Sequence, residues 1–183
     1  KRRLRSKINN DILKKNLKNV KKNKKKALLK YERKFSKNNK IKPSKDEINK
    51  SIKSLNTKIK KAIDFAYSRI LKFHSLQKIN NIKYTDKLNN KIEYRYIPIQ
   101  SVGIYVPSNL PSTLLMNAIL AKKIAGVKRV VLANPRLNGK LNPAVMYAAK
   151  KCGISEIVSA GGSQAIASLA YIQRVNKIIG PGN

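Results

Sequence analysis

Between Ser101 and Gly180 four short β-rich runs alternate with three helical segments, and this alternation limits the folds open to the chain more than any other feature. "SVGIYVP" reads as a strand that stops at Pro107. "STLLMNAILAKKIAGV" reads as a helix capped by Ser112 and stopped by Gly126, and "VKRVVLANP" as a second strand ending at Pro135. "NPAVMYAAKKCG" comes next as a helix with Asn142 at its cap, Pro143 at its first position and Gly153 past its end. "ISEIVSAGG", "SQAIASLAY" and "VNKIIG" supply a third strand, a third helix and a fourth strand. Strands joined by single helices need crossover connections, so the order βαβαβαβ predicts a parallel sheet with helices on its faces.

In an open parallel sheet the binding crevice lies beyond the carboxyl ends of the strands. Tyr105 closes the first strand, Gly161-Gly162-Ser163-Gln164 leads the third into its helix, and Gly180-Pro181-Gly182-Asn183 follows the fourth. Paired glycines let backbone approach a ligand closely, and the free N–H groups of a helix start favour phosphate or carboxylate. Any parallel α/β domain needs glycines at such turns, so Gly161 and Gly162 alone mark nothing. The convergence of a phenolic hydroxyl and two amides, Tyr105, Gln164 and Asn183, makes this rim the candidate site. No G-x-G-x-x-G follows the first strand, so the usual dinucleotide fingerprint is missing.

The front of the chain reads differently. From Ser44 to about Lys78, apolar residues Ile48, Ile52, Leu55, Ile59, Ile63, Ala66, Ile70 and Phe73 recur at spacings of three and four, predicting one long amphipathic helix that starts in a capping box of Ser44 and Glu47. Residues 9–35 carry a weaker helical stripe through Leu13, Leu17, Val20, Ala27, Leu28, Tyr31 and Phe35, and residues 80–92 read as a polar connection. The net charge of +34 is concentrated here: residues 1–100 hold 32 Lys and Arg against 7 Asp and Glu, the remainder 10 against 1. Such a block can neutralise phosphates. Lys, Asn and Ile are abundant throughout, however, as a biased composition would make them, and neither RNA-binding aromatics nor Cys/His finger spacing accompanies the lysines. A specific nucleic-acid reader is therefore not expected. The single cysteine, Cys152, excludes a disulfide framework. No apolar run approaches a membrane span, and no signal segment is recognisable, so no membrane partner and a cytoplasmic location are expected. The only histidine, His74, has no carboxylate or thiol at ligand spacing and reads as structural.

"PIQSVGIYVP", "LLMNAILAKKIAGVKRVVLANP", "GKLNPAVMYAAKKCGISEIVSAGGSQAIASLAY" and "VNKIIGPGN", in that order, resemble the first half of histidinol dehydrogenase, and the resemblance runs from about Tyr31 to Asn183. It implies an α/β fold: a basic helical region over residues 1–92, then an incomplete Rossmann-like parallel sheet over 93–183 that forms the first half of an NAD-binding crevice. It also implies a zinc-containing homodimer that uses NAD to oxidise L-histidinol to L-histidinaldehyde and then to L-histidine. The family's NAD-contacting tyrosine, glutamine and asparagine match Tyr105, Gln164 and Asn183. Its zinc ligands and its Glu-His acid–base pair match nothing up to residue 183, so no catalytic or metal residue is assigned and the chain is expected to be a catalytically incomplete N-terminal part. The alternatives are a basic nucleic-acid-associated protein on a degenerate enzyme scaffold, or a non-catalytic half that needs a separately encoded partner. Two loops depart from the family pattern. "VPSNLPST" is shorter than usual and lacks the family's glycine pair, and "YIQRVNKII" is short and lacks its glycine-containing turn.

Overall fold

The computed structural model describes residues 2–181, with side chains from residue 11 onward. Six helices and six strands are present among them, beside one π-helical turn. The parallel sheet is built from β3 (Ser101–Tyr105), β4 (Arg129–Ala133), β5 (Glu156–Val158) and β6 (Lys177–Ile179), in the spatial order β5-β4-β3-β6. All three pairings are parallel, as crossover helices require.

Alternation along the strands sorts their side chains to two faces. Val102 and Ile104 of β3, with Val130 and Leu132 of β4, enter the larger core beneath α4 (Pro111–Ile119) and α5 (Pro143–Lys151). Val131 and Ala133 of β4 enter the opposite core with Ala165 and Leu169 of α6 (Gly162–Tyr171). Gly103 of β3 faces the same way: a Cβ there would meet Leu169 and Val175 at 3.0 Å, so the strand passes too close beneath α6 to carry a side chain. The chain therefore moves outward from β3 through β4 to β5, then crosses on the other face to β6 at β3's free side. That reversal makes β3 the topological switch point, and Tyr105 stands at its carboxyl end.

The basic helices complete both faces. α1 (Arg2–Ser36), kinked at Lys24 where φ is 48° and ψ −128°, lies along α6. Val20, Ala27 and Leu28 of its predicted stripe are buried, whereas Leu13 and Phe35 stay exposed. The long helix expected from Ser44 to Lys78 is instead two, α2 (Lys45–Lys53) and α3 (Thr57–Ser75). The capping box of Ser44 and Glu47 starts the first. Asn56 then starts the second by accepting from the Lys58 N–H at 2.7 Å, which commits the chain to a new helix axis. The three-and-four spacing runs through the break because both helices bury their apolar sides, Ile52 and Ile63, in one core, with Leu55 filling the corner. Lysine-rich outer faces remain in solvent.

Two further expectations need correction. Ser112 does not cap α4. Leu110 holds the cap position without a side-chain bond and Pro111 is the first helical residue, where its fixed φ and missing N–H fit best. The helix continues into a π-helical turn, Leu120–Ile124, before Gly126 (φ 71°) ends it. Residues 80–92 are not merely a connection: β1 (Ile82–Thr85) and β2 (Lys91–Tyr94) form an antiparallel hairpin. Its loop is tied by Asp86, which accepts from the backbone N–H of Leu88 and Asn90 at 2.8 Å each. Ile82 faces Tyr94 and Tyr84 faces Ile92 across the pair, and all four are exposed. Among the described residues no helix is long and apolar enough to cross a membrane.

Candidate functional site

Register sets the rim. Tyr105, Ala133 and Val158 are neighbours across β3, β4 and β5, so the loops that leave these three strands emerge at one edge of the sheet. The Tyr105 hydroxyl reaches across β4 and accepts a hydrogen bond from the Gly162 N–H at 3.2 Å. Gly161 packs on Pro135, just past β4, so tightly that a Cβ would lie 2.9 Å from the proline Cβ. Gly162 has φ +58°, a conformation open to glycine, and begins α6, whose cap residue Gly161 has no side chain of its own to bond the first turn. Gln164 sits in the first turn and is buried. On the other side of β3, Gly180 passes directly over the Tyr105 carbonyl. Tyr105, the Gly161-Gly162 turn, Gln164 and Gly180 thus share one carboxyl edge. Asn183, the third residue singled out from the sequence, lies outside the described residues.

Beneath the turn is a residue that sequence reasoning did not single out. Glu32 of α1 is wholly buried, and its Oε1 accepts from the Gly161 N–H at 3.1 Å and from the Gln164 Nε2 at 3.2 Å. Asn38, also buried, donates from Nδ2 to the Ser159 carbonyl at 2.8 Å. The only signal in the sequence was an acidic residue inside a helix otherwise crowded with lysines, at a position next to the apolar stripe. Across the rim, Asn134 donates from Nδ2 to the carbonyls of Val106 and Ser108 at 2.8 and 2.9 Å, fixing the loop after Tyr105.

The loops that follow Tyr105 and Tyr171 each place a side chain in the left-handed region: Ser108 has φ 50° and Arg174 φ 53°. Such a residue carries roughly 1–2 kcal/mol of local strain, partly offset in a glycine variant by the greater freedom of its unfolded chain. Ser108→Gly and Arg174→Gly are each expected to stabilise the protein by about 0.5 kcal/mol, additively, seen as a rise in thermal midpoint. A fall in midpoint for either would show that its loop does not hold that conformation.

Elsewhere, the histidine is engaged and the cysteine sealed. His74 meets the Gln77 Oε1 through Nδ1 at 2.6 Å and packs edge-on against Phe73. Cys152 is buried, and desolvation pushes its thiol up to about 11, so it stays protonated at neutral pH. Among the described residues no three His, Cys, Asp or Glu side chains gather where they could hold a metal ion.

Comparison with known proteins gives a consistent result. The family model of histidinol dehydrogenase matches residues 1–183. The histidinol dehydrogenase of Pelagibacter ubique is 58% identical, over all of this chain and 44% of its own length. That of Pseudoalteromonas translucida is 44% identical over 75% of the chain and 34% of its own length. The crystal structure of histidinol dehydrogenase from Elizabethkingia anophelis superposes with a TM-score of 0.85 at 36% identity, covering 95% of this chain and 42% of that one. The chain thus spans less than half the length of these relatives, and the match includes the first thirty residues, which the motifs did not reach.

Proposed function

The chain belongs to the histidinol dehydrogenase family, and from that premise we propose that it supplies one wall of the NAD site in a homodimeric, cytoplasmic enzyme that oxidises L-histidinol through L-histidinaldehyde to L-histidine. One observation carries the reading: Tyr105 and Gln164, remote in sequence, meet around the Gly161-Gly162 turn at the switch point of a parallel sheet. NAD supplies the hydride acceptor. The protein's own part is to bind and orient: the Tyr105 ring offers a flat surface, the first turn of α6 offers the Ser163 and Gln164 N–H groups to a phosphate, and the Gln164 side chain offers an amide. Asn183 is proposed as a third contact. The zinc of the family finds no ligand set among the described residues. In this reading the metal ligands and the acid–base pair belong to the part of the longer relatives that this chain does not cover.

Titrating the 15N-labelled protein with NAD and monitoring backbone amides tests the proposal. Weak binding is expected, because a single wall encloses little of the ligand. Its shifts should concentrate at Tyr105, Gly161, Gly162 and Ser163. No perturbation there at saturating NAD, or perturbation only at the opposite sheet edge, would sink the assignment.

A further inference from the structure

We propose that Glu32 is a positioning residue for this rim: it holds the Gln164 side chain in one orientation, so that Gln164 presents its Oε1 as an acceptor to a hydroxyl or amide N–H of the ligand. The inference rests on the NAD reading and specifies which part of NAD lies at Gln164, a ribose hydroxyl or the carboxamide N–H and not a phosphate oxygen.

A glutamine amide can be turned either way, and its neighbours decide which. Here the Glu32 Oε1 lies 3.2 Å from one end of the amide and already accepts the Gly161 N–H. A carboxylate oxygen has no use for a second acceptor, so the amide must place Nε2 toward Glu32. Oε1 is thereby forced the other way. It lies above Gly162, where a Cβ would come within 3.1 Å of it, and the Gly162 N–H in turn binds the Tyr105 hydroxyl. Gln164 Nε2 bonds Glu32, and Oε1 has no hydrogen-bond partner among the described residues. Among the described residues, the turn therefore shows an acceptor without a partner beside a phenolic oxygen.

Stability alone gives Glu32 one reason, the buried Gly161 N–H that it satisfies, and sets a cost against it. It is wholly buried, and its Oε2 is sealed without a partner among the described residues. An apolar side chain of that size, packed between α1 and α6 beside Leu28, would avoid the desolvation of a carboxyl group. What an apolar residue cannot do is hold the Gly161 N–H and orient the Gln164 amide with one oxygen.

The test compares the 15N-labelled protein with Glu32→Leu, Glu32→Gln and Gln164→Met. Glu32→Leu should expose the Gly161 amide to faster exchange, bring the Gln164 side-chain amide signals to free-glutamine positions, and weaken NAD by about fivefold, as the loss of one hydrogen bond does. Glu32→Gln keeps an acceptor and should return all three toward wild type. Gln164→Met should weaken NAD comparably while the Gly161 amide stays protected, and this pair decides the matter even where Glu32→Leu does not fold. Wild-type Gln164 side-chain signals unchanged by Glu32→Leu, or NAD bound as tightly by Gln164→Met as by wild type, would overturn the proposal. Absence of any NAD response at the rim in the wild type is a different failure: it removes the NAD reading, while the side-chain amide signals still report whether Glu32 orients Gln164.

Discussion

Replacing Glu47 with alanine is expected to lower stability by about 3 kcal/mol, far more than removal of an ordinary surface carboxylate. The reason lies with its partner. Arg136, just past β4, has a side chain only 4% exposed, and its Nη1 binds the Glu47 Oε1 and, at 3.1 Å, the Gly139 carbonyl. Its Nε and Nη2 are sealed without partners among the described residues, so Glu47 is the carboxylate that compensates the buried charge. Deleting that carboxylate strands the guanidinium. Glu47 itself is 31% exposed, which places the loss at the lower end of the range for buried pairs. The same side chain closes the capping box of α2, so helix and sheet edge are released together. Glu47→Gln keeps a neutral acceptor and should lose about half as much. Urea unfolding with an unchanged slope would measure the difference, and a loss below about 1 kcal/mol for the alanine variant would show that Arg136 finds water or another partner.

The pair also sets an acid limit. Arg136, chiefly through its hydrogen bond, holds the Glu47 carboxyl below its ordinary 4.5. A carboxylate with a lowered folded value stabilises fully above its unfolded value, and that contribution drains away as pH falls toward the folded one. Asp64, lowered from 3.8 first by Lys151 and also by the Tyr147 hydroxyl, moves in the same direction and ties α3 to α5. Stability should therefore decline as pH falls below about 4.5, with the upper part of that decline missing in Glu47→Gln.

How much of this was legible depends on where each interaction's partners lie in the chain. The βαβαβαβ order, the Asn142 cap, the Gly126 and Gly153 stops and the Ser44 capping box are local, each decided by residues a few positions apart, and all appear in the structure. The glycine turn and Tyr105 could be assigned to one sheet edge because parallel topology puts every strand's end there. Glu32 could not be read, since what makes it matter is a partner 132 residues away. The hairpin escaped because its apolar residues bury nothing here: Ile82, Tyr84, Ile92 and Tyr94 alternate as strand residues do, but each strand is four residues long among Asn and Lys. The α2–α3 break escaped for the opposite reason, both helices burying residues in one core so that the period continued across a corner.

Gly180→Ala should detach β6 while leaving the rest of the sheet folded. A Cβ at Gly180 would lie 2.2 Å from the Tyr105 carbonyl oxygen, and φ there is +137°, a region that is essentially glycine's alone. The obstruction is backbone, so no side chain can swing aside. Crowding and conformational strain together come to about 3–5 kcal/mol. Among the described residues, a three-residue edge strand stands against this, paired to β3 alone and with Ile178 and Ile179 half-buried. Half-burying two such side chains is worth roughly 2 kcal/mol, so separation costs less than distortion. Only the Tyr105 end of β3 meets the clash, while the core beneath β3, β4 and β5, with Ile104 and Leu132 fully buried, does not. Hydrogen exchange should accordingly accelerate at Ile178 and Ile179 by a factor of about 30 or more, about 2 kcal/mol, with amides of β4 unchanged. Detachment also frees the Tyr105 end of β3, so NAD-induced shifts at Tyr105 should shrink while those at Gly162 persist. Undiminished protection at Ile179 would show that the turn after β6 can retreat from Tyr105 without breaking the pairing, and that Gly180 does not set the shape of this edge of the crevice.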